Sequence, residues 1–114
     1  MRFDHFTLAL MLRPPDRPEL DEPTAAAVQD AHLAYLADLH ASGSLLAAGP
    51  IDHPRYRGLS IMSAGVEEAR ELKAQDEAVR AGILAPEVLS WMVPAGAVSF
   101  SPTRFPRSMA EADS

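Results

Sequence analysis

Apolar and polar positions alternate over residues 3–13, FDHFTLALMLR, and predict a strand. Phe6, Leu8, Leu10 and Leu12 share one face, and His5, Thr7, Ala9 and Met11 share the other. The proline-rich acidic run PPDRPELDEP (14–23) stops the strand and reads as a loop that cannot be helical. Thr24 is then the expected N-cap of a helix running to about Ser42, with Gly43 just past its end. Val28, His32, Tyr35, Leu36 and Leu39 form one stripe at 100° per residue, with His32 near its middle. His40 falls at the edge of the stripe, where a surface position is expected.

SLLAAGPI (44–51) reads as a short strand ended by Gly49-Pro50, and DHPRYRG as a loop. GLSIMS (58–63) alternates again, with Leu59 and Ile61 on one face and Ser60 and Met62 on the other. Residues 65–75 are helical in character, acidic early, with Val66, Ala69 and Leu72 as a thin apolar stripe. DEAVRAGIL holds a short turn or helix ending at Gly82, and EVLSWMVP (87–94) is a last strand. In that strand Leu89, Trp91 and Val93 face away from Val88, Ser90 and Met92. The order β-α-β-β-α-β predicts an α+β fold of the ferredoxin-like type, with helices on one face of an antiparallel sheet. The strongly apolar faces suit the helix-covered side. The milder Thr7, Ala9, Met11, Ser60, Met62, Ser90, Met92 side suits pairing with a second copy around a partly polar cavity. A monomer with a half-exposed sheet is the alternative. Residues 1–96 are the expected domain, and 97–114, which lack any period, a C-terminal tail anchored by Phe100 and Phe105.

Composition narrows the function classes. The chain has 114 residues, 47% hydrophobic and 23% charged, and a net charge of −6, so nucleic-acid and membrane partners are not expected. It has no cysteine, which excludes disulfides and thiolate chemistry. No signal peptide or spanning segment is apparent, and a cytoplasmic protein is the default. Nine of the ten basic residues are arginine, a usage that suggests a GC-rich bacterial source.

Few residues carry chemistry. His32 can give and take a proton at neutral pH, and a carboxylate could fix its tautomer; it could equally pack at the sheet edge. Asp76 could orient it, could cap the short EAVRAG turn, or could do both. Gly49 and Pro50 read first as a strand stop and second as a pocket wall. Asp52 and His53 form an isolated Asp-His pair, too little for a metal site. His5 could line a cavity or be exposed. Met11, Met62 and Met92 suit packing. No P-loop, GxGxxG, GxSxG or HExxH is present.

AHLAYL, GSLLAAGPID and EEARELKAQDEAVRAGIL, in that order, resemble the YCII (YciI-like) family over about residues 3–94. The resemblance implies a dimeric α/β barrel of ferredoxin-like chains and a His–Asp pair in a cleft. The family histidine falls on His32, its aspartate on Asp76 and its Gly-Pro pair on Gly49 and Pro50, with Asp52 a weaker acidic match. Glu77 stands where the family usually has proline. The resemblance further implies a homodimer acting on a small, cyclic or aromatic molecule by elimination, isomerisation or tautomerisation, with no cofactor and no metal. A small-molecule-binding or accessory protein with a vestigial dyad is the alternative.

Overall fold

The structure, a computed structural model, describes residues 1–113. Strands β1 (Phe3–Leu12), β2 (Leu45–Pro50), β3 (Tyr56–Met62) and β4 (Ala85–Pro94) form one antiparallel sheet in the order β2-β3-β1-β4. Helix α1 (Glu22–Ala41) joins β1 to β2, and α2 (Val66–Ala74) with the single-turn α3 (Glu77–Arg80) joins β3 to β4. This is the ferredoxin-like α+β arrangement that the alternation predicts, with the two crossover helices on one face.

Helix α1 begins earlier than expected. Asp21, not Thr24, is its N-cap and accepts a 2.8 Å hydrogen bond from the Thr24 amide, so Glu22 and Pro23 belong to the first turn. Proline is tolerated there because the first-turn amides have no intrahelical acceptor. At the other end the chain turns through Gly43 at φ +87°, and the amides of Gly43 and Ser44 close on the carbonyls of His40 and Leu39. Gly58 marks a close approach of β3 to β2: a Cβ there would meet the Gly49 carbonyl at 3.1 Å.

The two sheet faces are used the other way round from the sequence expectation. Thr7, Ala9, Met11, Ser60, Met62 and Val88, all from the milder faces, are the buried positions beneath the helices. They join Val28, Leu39, Leu45, Ala69, Ala78 and Leu84 in the core. Apart from the flexible Met11 and Met62, these are short side chains, which let α1 and α2 lie close against the sheet. The larger set turns to the open face. Phe6, Leu8 and Leu10 are only half-buried there, opposite Trp91 and Ile61 or Leu59, and Leu89 is 43% exposed.

Residues 97–113 fold back on the domain. Phe100 meets Phe6 edge-on at 5.3 Å, and Phe105 stacks on His40 at 4.2 Å. His40 is therefore no simple surface residue: the Leu45 carbonyl lies 2.7 Å from its Nδ1, and the Thr103 amide donates to its Nε2. Arg107 pairs with Asp38, and the Met109 amide donates to Asp30 at the start of α4 (Met109–Ala112). Deleting residues 97–114 should cost roughly 2–4 kcal/mol, from two aromatic anchors. Thermal denaturation checks this, and an unchanged melting temperature would contradict it.

Candidate active site

Helix α1 and the β1-β2-β3 part of the sheet enclose a cavity of about 770 Å³. His32 and Leu36 of α1 form one wall, and Met11, Ala48, Gly58 and Ser60 form the floor. Phe105, Pro106 and Met109 of the C-terminal segment also border it. Three guanidinium groups, on Arg13, Arg17 and Arg57, line the space, with Asp113. In a chain of net charge −6, this concentrates positive charge at one opening. Arg13 is held by the carbonyls of His53 and Pro54, and Arg17 by that of Pro14.

His32 Nδ1 lies 2.6 Å from Asp76 Oδ2, although the two are 44 residues apart in sequence. The His32 side chain is 13% exposed and that of Asp76 is fully buried. An ionised carboxylate only accepts, so Nδ1 is the donor, and in the neutral ring Nε2 then keeps its lone pair. The other Asp76 oxygen accepts from the Ala78 amide at 2.9 Å, making Asp76 the N-cap of α3. One carboxylate thus contacts both the His32 ring and the first free amide of α3, and the cap holds its side chain beside His32. Glu77 is the first residue of α3, a position that a proline could also occupy.

Two residues behind this pair were not singled out from the sequence. Lys73 is fully buried, and its Nζ donates to Ser60 Oγ at 2.7 Å. Burial pushes the Lys73 amine down to about 8, while the negative charge of Asp76 opposes the fall. Tyr35 closes the group from α1. Its hydroxyl donates to the Leu72 carbonyl, burial raises its phenol, Asp76 raises it further, and Arg80 opposes. The signal for Lys73 lay in its spacing. It stands seven residues after Val66 on the apolar stripe of α2, and it is the only lysine in the chain.

The remaining candidates divide. Gly49 and Pro50 border the cavity at the end of β2. Asp52 and His5 are exposed and do not line it. Asp52 follows the strand stop into the β2–β3 loop, and His5 lies on β1 well before Met11, the residue by which that strand reaches the cavity. The His53 ring accepts from the amides of Arg55 and Tyr56, a local loop contact. Among the described residues no group of three or more His, Asp or Glu gathers as metal ligands, and no helix is long and apolar enough to cross a membrane.

The Lys73 environment has a consequence for stability. An unfolded lysine titrates near 10.4, whereas the folded amine titrates at about 8. Below about pH 8 both states hold the proton and the group adds no slope. Between the two values the unfolded chain binds more protons, so stability rises with pH, by roughly 3 kcal/mol in all. Denaturant titrations from pH 7 to 10 should show this rise in the wild type and not in Lys73→Met. Parallel curves for the two proteins would contradict it.

A family model described as the YCII-related domain matches residues 8–92. Among solved structures, the chain is similar to the 5-chloro-2-hydroxyhydroquinone dehydrochlorinase from Burkholderia phenoliruptrix AC1100, in complex with 2,5-dihydroxybenzoquinone. That likeness has a TM-score of 0.58 at 23% identity and covers 75% of this chain and 92% of the other, which supports the shared fold. No curated protein sequence matches the chain.

Proposed function

The chain belongs to the YCII-related domain family, and on that premise we propose that it is a small enzyme moving a proton on a cyclic or aromatic, oxygen-bearing substrate. His32 is the base and Asp76 orients it. The observation that carries this reading is the 2.6 Å His32–Asp76 hydrogen bond at the wall of a cavity large enough for a small ring. Asp76 holds Nδ1–H, so the lone pair of Nε2 is free to take a substrate proton, and the buried carboxylate stabilises the imidazolium that forms.

The reaction classes follow from where that proton goes. Returned to a different atom, it completes an isomerisation or tautomerisation. If a leaving group departs with its bonding pair instead, the electrons of the broken C–H bond become a double bond, and the reaction is an elimination. The arginines lining the cavity favour a substrate with phenolate or enolate oxygens. The dehydrochlorinase of similar fold was solved with a dihydroxybenzoquinone, which is of this class. A homodimer, formed across the open sheet face, belongs to the same proposal.

The test is direct. The protein is given 5-chloro-2-hydroxyhydroquinone and chloride release is followed, with binding of 2,5-dihydroxybenzoquinone measured by calorimetry. Turnover that falls by about 10²–10⁴ in His32→Ala supports the reading. A wild type that neither binds nor turns over, or a His32→Ala variant as fast as wild type, refutes it.

A further inference from the structure

The His32–Asp76 pair accounts for the proton that leaves and rejoins carbon, while the negative charge that builds on a substrate oxygen in between is best met by a second proton donor. Ser60 borders the same cavity from the middle of β3. Lys73 reaches it from α2, with Nζ 2.7 Å from Ser60 Oγ and the whole side chain out of solvent. We propose that Lys73, acting through the Ser60 hydroxyl, is the positioning residue for a second proton-transfer point in the cavity, aimed at an oxygen of the substrate. This inference rests on the cavity being the substrate site.

The geometry gives each group a role. As an ammonium, Lys73 can only donate, so it occupies a lone pair of Ser60 Oγ. The hydroxyl proton is not used in that contact, and among the described residues the Ser60 hydroxyl makes no other hydrogen bond. It is free to be donated into the cavity. Asp76, three residues on, supplies the negative charge facing Lys73 and also holds His32, so one buried carboxylate supports both proton positions. The helix-facing positions of the neighbouring strands, Thr7, Ala9, Val88 and Ser90, carry no charge. Tyr35 feels the opposing charges of Asp76 and Arg80. An amine that titrates at about 8 can release and regain a proton near neutrality, which the arginine found at every other basic position cannot do.

The proton balance closes within the site. His32 Nε2 takes a proton from substrate carbon while the substrate oxygen takes one from Ser60. Ser60 is refilled from Lys73, leaving an imidazolium and a neutral amine. His32 then returns its proton to a second carbon, and the oxygen gives its proton back through Ser60 to Lys73. No oxidant or co-reactant is required.

Because Lys73 is the only lysine, protein labelled with ¹³C-lysine gives a single side-chain Cε signal. That signal is titrated with and without saturating 2,5-dihydroxybenzoquinone, and the His32 ring signals are followed in the same samples. In the wild type the compound should raise the Lys73 midpoint by about one unit, since an anionic oxygen is brought to Ser60. In Ser60→Ala the compound should still move the His32 signals while the Lys73 midpoint no longer responds. Affinity for the compound should break near pH 8 in the wild type and lose that break in Lys73→Met. Should Lys73→Met fail to fold, the Ser60→Ala comparison carries the test. A Lys73 signal indifferent to the compound, with His32 responding, would reduce Lys73 to a structural role and leave the proposed enzyme intact. No response from either residue would refute both.

Discussion

Asp76→Asn is expected to lower turnover by about 10²–10⁴ while leaving the chain folded. The substitution separates the two tasks of one side chain. A carboxamide oxygen can still accept the Ala78 amide, so the cap of α3 survives. The carboxamide cannot stabilise an imidazolium and no longer forces the proton onto Nδ1 of His32. It also removes the charge that opposes the desolvation of Lys73. A stability loss of about 1–3 kcal/mol should accompany the lost activity, because a buried charged hydrogen bond is replaced by a weaker one. Asp76→Ala should lose about 1 kcal/mol more, since the cap goes as well. Chloride release and thermal denaturation on the three proteins decide the matter. Asp76→Asn with wild-type turnover would show that the carboxylate serves the cap alone.

The pattern of apolar positions was enough to order the elements, because both crossover helices and all four strands carry their own period. It was not enough to say which sheet face the helices cover. Both faces of β1 are apolar, and hydrophobicity favours the Phe6, Leu8, Leu10 side; the helices lie on the Thr7, Ala9, Met11 side, where the short Thr7 and Ala9 allow close approach and Met11 fills the remaining space. His32 could be singled out because an ionisable ring near the middle of an apolar stripe needs a partner. Asp76 could be matched to it through its place after α2 and through the family resemblance. Ser60 and Lys73 were hidden by their own plausibility as a strand serine and a helix lysine. His40 was misplaced because its partners, Leu45, Thr103 and Phe105, come from outside its helix. No periodicity within α1 contains that information.

A charge on the open sheet face should split the proposed dimer. The face presents Phe6, Leu8, Leu10, Leu59, Ile61, Leu89 and Trp91, and neither crossover helix covers it. Phe100 shields Phe6 at one end, but Leu89 stays 43% exposed. A contiguous apolar sheet face of this kind is a common site of protein–protein contact. Two such sheets packed face to face would bury it at the spacing of a sandwich core, about 10 Å. Wild type should therefore run in light scattering at twice the chain mass of 12.3 kDa. Leu8→Asp puts an unpaired carboxylate into the middle of that contact, where it would cost several kcal/mol, yet leaves it at a half-exposed position when the chain is alone. The variant should therefore scatter as a 12.3 kDa monomer at micromolar concentration. Thr7→Asp, one residue along, points into the core under α2 and should unfold the domain instead. A wild type that is monomeric at all concentrations would refute the dimer. A Leu8→Asp protein that stays dimeric would place the contact on another surface.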